Sequence, residues 1–229
     1  MEIKLSFNYS KSKVMIFRSN KRKTEIVPRN CFEINDNSIE IVKSIKYLGY
    51  IISDSMDYID DIDRVKGKFY AEFNMILRNF HFADKDIKVF LFRHYCMQFY
   101  GSELWFGLKK PNLQLKYFAV GYHKAIKKLI GVSMHESNHF ACQETNLLLF
   151  NHLMNKFKIN ALFRFMMNPC QMVKKVDTFL RVSSVMAENV RKILHKEYDI
   201  TSLYDNDINA IHSRIQYVQN HEVQMRETW

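Results

Sequence analysis

The hydrophobic period of this chain changes once, at Asp54-Ser55-Met56-Asp57. Before that point apolar residues come in short runs or alternate. Val14-Met15-Ile16-Phe17 is one run, Cys31-Phe32-Glu33-Ile34 alternates, and Ile39, Ile41 and Ile45 keep a period of two. These are strand signals. After it, Ile62, Val65, Phe69, Phe73, Ile76 and Phe80 recur every three or four residues, which lines one face of a helix. The switch predicts a short antiparallel β piece followed by an all-helical body, an α+β chain that is mainly α. Only 6 glycines and 3 prolines are available to break elements in 229 residues, which favours long helices over a turn-rich β fold.

Further breaks follow from local chemistry. Asn35-Asp36-Asn37 supplies turn residues between two strands. Asp84 stands where an N-cap opens a second helix, with Ile87, Leu91, Tyr95 and Gln98 on one side. Pro111 precedes a third helix over about 113–130, and Gly131 sits where a helix-ending glycine belongs. Helices near 137–150 and 151–167 come next, then a break at Pro169. Residues 170–195 and 203–223 read as two more amphipathic helices. The expected organisation is 1–55, 56–169 and a C-terminal extension of unassigned role over 170–229.

A net charge of +10 suits a polyanionic partner, because lysine and arginine neutralise phosphates and release counterions. Four scattered cysteines, Cys31, Cys96, Cys142 and Cys170, form no C-x-x-C pair and no dense disulfide framework, so a reduced, intracellular protein is expected. No apolar run approaches the ~20 residues of a transmembrane helix, and the first residues lack the apolar stretch of a signal peptide.

Several phrases carry a resemblance. Asn8-x-x-Lys11-Ser12-x-x-Met15-x-Phe17 comes first, then Lys46-Tyr47-Leu48-Gly49 followed by Tyr50-Ile51-Ile52. Tyr100-Gly101-Ser102-Glu103-Leu104-Trp105 follows, preceded by Asp86, Lys88, Leu91 and Phe92, and then Tyr122-His123-Lys124 through Lys127-Lys128 to Gly131. In content and order they resemble the palm end and thumb of reverse transcriptases from non-LTR retrotransposons of the jockey, CR1 and RTE types. The likeness covers about 5–169. It implies an RNA-directed DNA polymerase fold that holds an RNA/DNA primer–template duplex, with Mg²⁺ as the cofactor of the full-length family. It makes Lys11 a lysine near the incoming nucleotide's phosphates. It makes Lys46, Tyr47, Leu48 and Gly49 a primer-grip hairpin, whose turn brings backbone close to the primer end. It places Lys124, Lys127 and Lys128, one helical face by i, i+3, i+4 spacing, along a duplex backbone. The same pattern also fits a solvated helix face. The Tyr100–Trp105 phrase reads as structural, with Gly101 permitting close helix approach and Trp105 anchoring a core.

The departure from the family is as informative. Its fingers and its catalytic aspartates belong upstream of the first phrase, and these 229 residues do not contain them. Tyr58-Ile59-Asp60-Asp61 spells Y-x-D-D, but it follows the grip phrase and leads into a charged helical stretch. Asp57, Asp60 and Asp61 suit the first turn of a helix. No metal site is therefore expected here, His135-x-x-x-His139-x-x-Cys142 offering only three ligand types without a nearby fourth. The chain alone is expected to be inactive as a polymerase, lacking the carboxylates that hold metal ions for phosphoryl transfer. The alternative is a non-catalytic nucleic-acid-binding module derived from the thumb.

Overall fold

A computed structural model describes residues 8–17, 32–34, 37–55, 57–107 and 113–167. The protein is mixed α+β and mostly helical. It divides into two compact units, Met1–Arg64 and Val65–Trp229. The helices expected over 170–195 and 203–223, and the break at Pro169, lie outside the described residues.

In the first unit the strands are short. β1 (Lys13–Val14) pairs with β4 (Glu40–Ile41), and β2 (Glu33–Ile34) with β3 (Asn37–Ser38). β5 (Ser44–Tyr47) pairs with β6 (Tyr50–Ser53). The β2–β3 and β5–β6 pairs are antiparallel hairpins, as the turn residues predict. The β1–β4 pair is parallel, which corrects the expectation of a wholly antiparallel unit. More than a dozen residues separate the two strands, enough for the crossover that a parallel pair needs. Lys13 and Glu40 stand opposite each other in that register and form an ion pair. Ile39, between β3 and β4, is buried.

Asn8 builds the turn ahead of β1. Its side chain accepts from Ser10 Oγ at 2.7 Å and Lys11 N at 3.2 Å. Its carbonyl accepts from Ser12 Oγ at 3.0 Å. Asparagine competes for nearby donors in this way and so favours turns over ladders.

Among the described residues five α-helices follow: α1 (Ile59–Asn79), α2 (Lys85–Leu91), α3 (Leu113–Ile130), α4 (Asn138–Glu144) and α5 (Phe150–Met167). The α1 stripe is the one the sequence predicts. Ile62, Val65, Phe69, Phe73 and Ile76 are all buried, while Phe80 falls past the helix end and is half-exposed. The division between the two units falls inside α1, after Arg64, and the Asp61 carboxylate in the first turn of that helix is hydrogen-bonded to the β5–β6 hairpin.

Asp84 stands at the N-cap position of α2 as expected, but its side chain makes no capping hydrogen bond, and the helix runs into a π-helical turn over Phe92–Cys96. Its inward face differs from the Ile87–Gln98 row. Val89, Phe92, Cys96 and Phe99 are buried, whereas Ile87 and Tyr95 are about half exposed. This segment is apolar on more than one side, so periodicity alone does not single out the inward face.

The core of the second unit is aromatic. Phe69 lies 5.4 Å from Phe118, 5.8 Å from Phe92 and 6.1 Å from Phe99 between ring centroids. Phe150 joins from α5, 5.1 Å from Phe118 and 5.6 Å from Tyr122. Most of these pairs are edge-on or tilted, the arrangement that aromatic quadrupoles prefer. Trp105, in a 3₁₀ turn over Ser102–Gly107, is buried as expected. Gly101 has φ +95°, so it serves the backbone conformation of the turn. Close helix approach is seen at Gly121, where a Cβ would come within 1.9 Å of Tyr70 Oη.

Candidate nucleic-acid interface

Two surfaces gather the residues that the resemblance singles out. The first is the tip of the β5–β6 hairpin. Tyr47 and Tyr50 pair across a two-residue turn made by Leu48 and Gly49. Both turn residues have positive φ, +47° and +88°, the signature of a type I′ turn. Glycine adopts this freely. Leucine does not, because its Cβ crowds the carbonyl at a cost of roughly 1–2 kcal/mol. The strained leucine is 72% exposed and Tyr47 is 59% exposed, with Lys46 also exposed beside them. The turn therefore carries a cation, an aromatic ring and an aliphatic side chain outward, at some expense in backbone strain.

That strain gives a direct check. Leu48→Asn puts a residue that tolerates positive φ into the same turn. The expected result is a hairpin more stable by about 1 kcal/mol, read as slower hydrogen exchange at the Tyr47 and Tyr50 amides. Unchanged or faster exchange would show that the turn is not strained at Leu48.

The second surface is the outer face of α3. Lys124 and Lys128 are exposed there, as expected. Lys127 is not, and the predicted three-lysine stripe is corrected to two of its members. The chain reverses at Gly131, φ +73°, and Val132 N donates back to Lys127 O at 3.1 Å. The loop that follows covers Lys127, whose Nζ donates to Met134 O at 3.1 Å and which is 6% exposed. Lys127 thus closes a helix end, satisfying a carbonyl in the turn beyond it. Lys116 takes its place on the outer face, which reads Leu113, Lys116, Tyr117, Val120, Lys124 and Lys128. Leu113, Tyr117 and Val120 are each more than half exposed. The signal for Lys116 was present in the sequence, since Lys116, Val120, Lys124 and Lys128 form a single i+4 row.

Lys11 is exposed in the turn that Asn8 builds. It belongs to the first unit with the hairpin, and the α3 lysines belong to the second.

The Y-x-D-D phrase is placed at the start of α1. Asp57 Oδ1 accepts from Ile59 N at 3.1 Å, and Asp60 and Asp61 lie in the first helical turn. Asp60 is exposed. Asp61 is 2% exposed, its Oδ1 accepting from Ile51 N at 3.0 Å and from Arg64 Nε at 2.7 Å. Charge-assisted bonds of this kind are strong, and Asp61 spends its carboxylate on joining hairpin to helix. The tie to the hairpin is not visible in the sequence, where the Asp61–Arg64 pair at i, i+3 is its one local cue.

Cys142 Sγ is buried and points to Leu148 O at 3.8 Å, while His135 and His139 are exposed. Among the described residues no group of three or more histidine, cysteine or acidic side chains gathers so as to hold a metal ion. Burial, helped by the nearby Glu72 carboxylate, pushes the Cys96 thiol up to about 12, which keeps it protonated and unreactive. No described helix is long and apolar enough to cross a membrane. Comparisons with protein-family models, curated proteins and solved structures give no match, so the family likeness rests on the phrases of the sequence itself.

Proposed function

We propose that this chain is a palm end joined to a thumb, of the kind found in non-LTR retrotransposon reverse transcriptases, and that it holds primer–template duplex without itself performing polymerisation. The observation that carries the reading is the hairpin tip. Lys46, Tyr47 and Leu48 are exposed together on a turn that keeps a leucine at positive φ. Backbone strain retained at an exposed tip suits a surface whose side chains touch a partner. In this reading the tyrosine packs on a sugar or base at the primer end and Lys46 meets phosphate. Lys11 lies near incoming phosphate. Asp60 and Asp61 are not a metal-holding pair, because Asp61 is committed to Ile51 and Arg64. The carboxylates for Mg²⁺ would have to come from outside these residues.

A second reading is a non-catalytic nucleic-acid-binding module. It is supported by the α3 face, where Lys116, Lys124 and Lys128 alternate with Tyr117 within the second unit alone. Cations interleaved with an aromatic ring suit a phosphate backbone and a stacked base.

The test is binding of an RNA–DNA hybrid across a range of salt concentrations. Lys116→Ala, Lys124→Ala and Lys128→Ala together are expected to lower the salt slope by about three, one for each phosphate no longer neutralised. Lys127→Ala is expected to destabilise the fold while leaving the slope of the folded protein unchanged. Tyr47→Ala with Leu48→Ala discriminates the readings. Loss of hybrid affinity on changing the hairpin supports the palm–thumb reading. Loss confined to the α3 variants supports the module. A slope unaffected by the three lysines would remove α3 from the interface.

A further inference from the structure

The start of α5 is held from α3 by two adjacent side chains. Tyr122 Oη donates to Leu148 O at 2.8 Å, and His123 Nε2 accepts from Phe150 N at 3.3 Å. Phe150 is the first residue of α5, so its amide is one of the donors that a helix leaves without an intrahelical partner. A serine or aspartate before the helix usually supplies an acceptor for the donors one or two residues further into this first turn. Here Leu148 and Leu149 precede α5 and neither offers one. A half-buried imidazole from another helix takes that place.

We propose that His123 is a pH-sensitive latch on the first turn of α5. The acceptor is the lone pair of a neutral imidazole, and the Ala119 backbone on α3 also meets the ring. Protonation converts Nε2 from acceptor to donor. It then opposes the Phe150 N–H and places a cation at the positive end of an 18-residue helix. The Ala119 backbone favours the charged ring, but burial and the neighbouring cations outweigh it. Lys127 on α3 repels the imidazolium, and the ionisable groups in the first two turns of α5 are His152 and Lys156. The link between α4 and α5 has no acidic residue, and Arg93 reaches it with a further cation at Asn146 O. Glu144, at the end of α4, is paired with Lys85 at 2.7 Å. Cys142 is buried against Leu148 O, and Tyr122 is committed to the same carbonyl.

The direction follows from linkage. Burial first, then Lys127, holds His123 below the ordinary imidazole range, so the unfolded or opened chain binds the proton more readily than the latched one. Stability of the latch is full above the unfolded value of about 6.5 and is lost as pH falls through the lower, folded value. The latch is independent of the proposed nucleic-acid role and stands or falls without it.

The experiment is amide hydrogen exchange over Phe150–Leu153 in the full chain, corrected for intrinsic rates, between about pH 7.5 and about pH 5.5, the span in which histidine titrates. Exchange is expected to accelerate several-fold on acidification. His123→Gln keeps an amide acceptor that does not titrate, and is expected to lose the acceleration. Should that variant fold poorly, proton NMR of the wild-type imidazole replaces it, with the His123 titration expected to coincide with α5 opening. Flat wild-type exchange, the same acceleration in His123→Gln, or a titration that does not coincide with opening would each overturn the latch.

Discussion

Phe69→Ala is expected to lower the stability of the helical body by about 3–5 kcal/mol, the range for removing a buried phenylalanine from a packed core. Phe69 is 1% exposed. It reaches rings on α1, α2's π-helical continuation and α3, together with Phe99 just beyond the π turn. Truncation removes the area that drives these elements together and leaves a cavity lined by rigid rings. Such rings close over a void poorly, which places the cost in the upper part of the range. Domains are stable by only about 5–15 kcal/mol, so this one change consumes a large fraction of the total. Urea unfolding followed by tryptophan fluorescence reads it, with Trp105 buried in the same unit. The midpoint is expected to fall with little change in slope. Phe82 is 75% exposed and supplies the contrast. Phe82→Ala is expected to stay within about 0.5 kcal/mol of the parent. A Phe69→Ala loss of under about 1 kcal/mol would mean that the aromatic cluster is not the core.

Asp61→Ala is the second large effect, expected at about 3 kcal/mol. The change takes the acceptor from the Ile51 amide and a carboxylate from beside the partly buried Arg64. A partly buried guanidinium that loses an opposite charge costs more than the pair itself contributed. Asp61→Ala combined with Arg64→Leu is therefore expected to be less damaging than Asp61→Ala alone. Asp60→Ala removes an exposed carboxylate from the same turn and is expected to cost under about 1 kcal/mol, the size of a helix-dipole interaction. Hydrogen exchange at Ile51 localises the loss to the hairpin. Equal and small effects at Asp60 and Asp61 would contradict the structural role of Asp61.

How far these features were legible depends on how much the chain repeats itself. The α1 face could be read because its apolar spacing runs uninterrupted through 21 residues. The C-terminal end of α3 was legible from Gly131, whereas the helix expected near 137–150 is shorter, α4 ending at Glu144, and its Ser137 cap was not read. Gly131 takes positive φ, and Ser137 Oγ accepts from Phe140 N at 2.9 Å. α2 was misfaced because Ile87, Phe90 and Tyr95 are apolar yet exposed, so two faces compete in the pattern. The β1–β4 pair was missed because a two-residue parallel ladder leaves almost no periodic trace.

The candidate interface divides in the same way. The hairpin turn was visible from Gly49, but Leu48 at positive φ was not, since that position ordinarily calls for asparagine or glycine. Lys127 was misplaced for a tertiary reason. The loop after Gly131 folds over it, and helical spacing contains no information about a loop that returns. His123 looked like one polar residue among several. Its role depends on Phe150, 27 positions away, and no local pattern links the two.

Contact between the Lys46–Gly49 turn and the primer end of a bound duplex is the proposal on which the palm–thumb reading stands. It is tested most directly by photo-crosslinking an RNA–DNA hybrid whose primer carries a reactive group on its 3′-terminal nucleotide. The account predicts crosslinks concentrated at Tyr47 and Leu48, formed at low salt and absent at high salt. Crosslinks spread without preference over the surface, or a bound hybrid that never labels the hairpin, would contradict it.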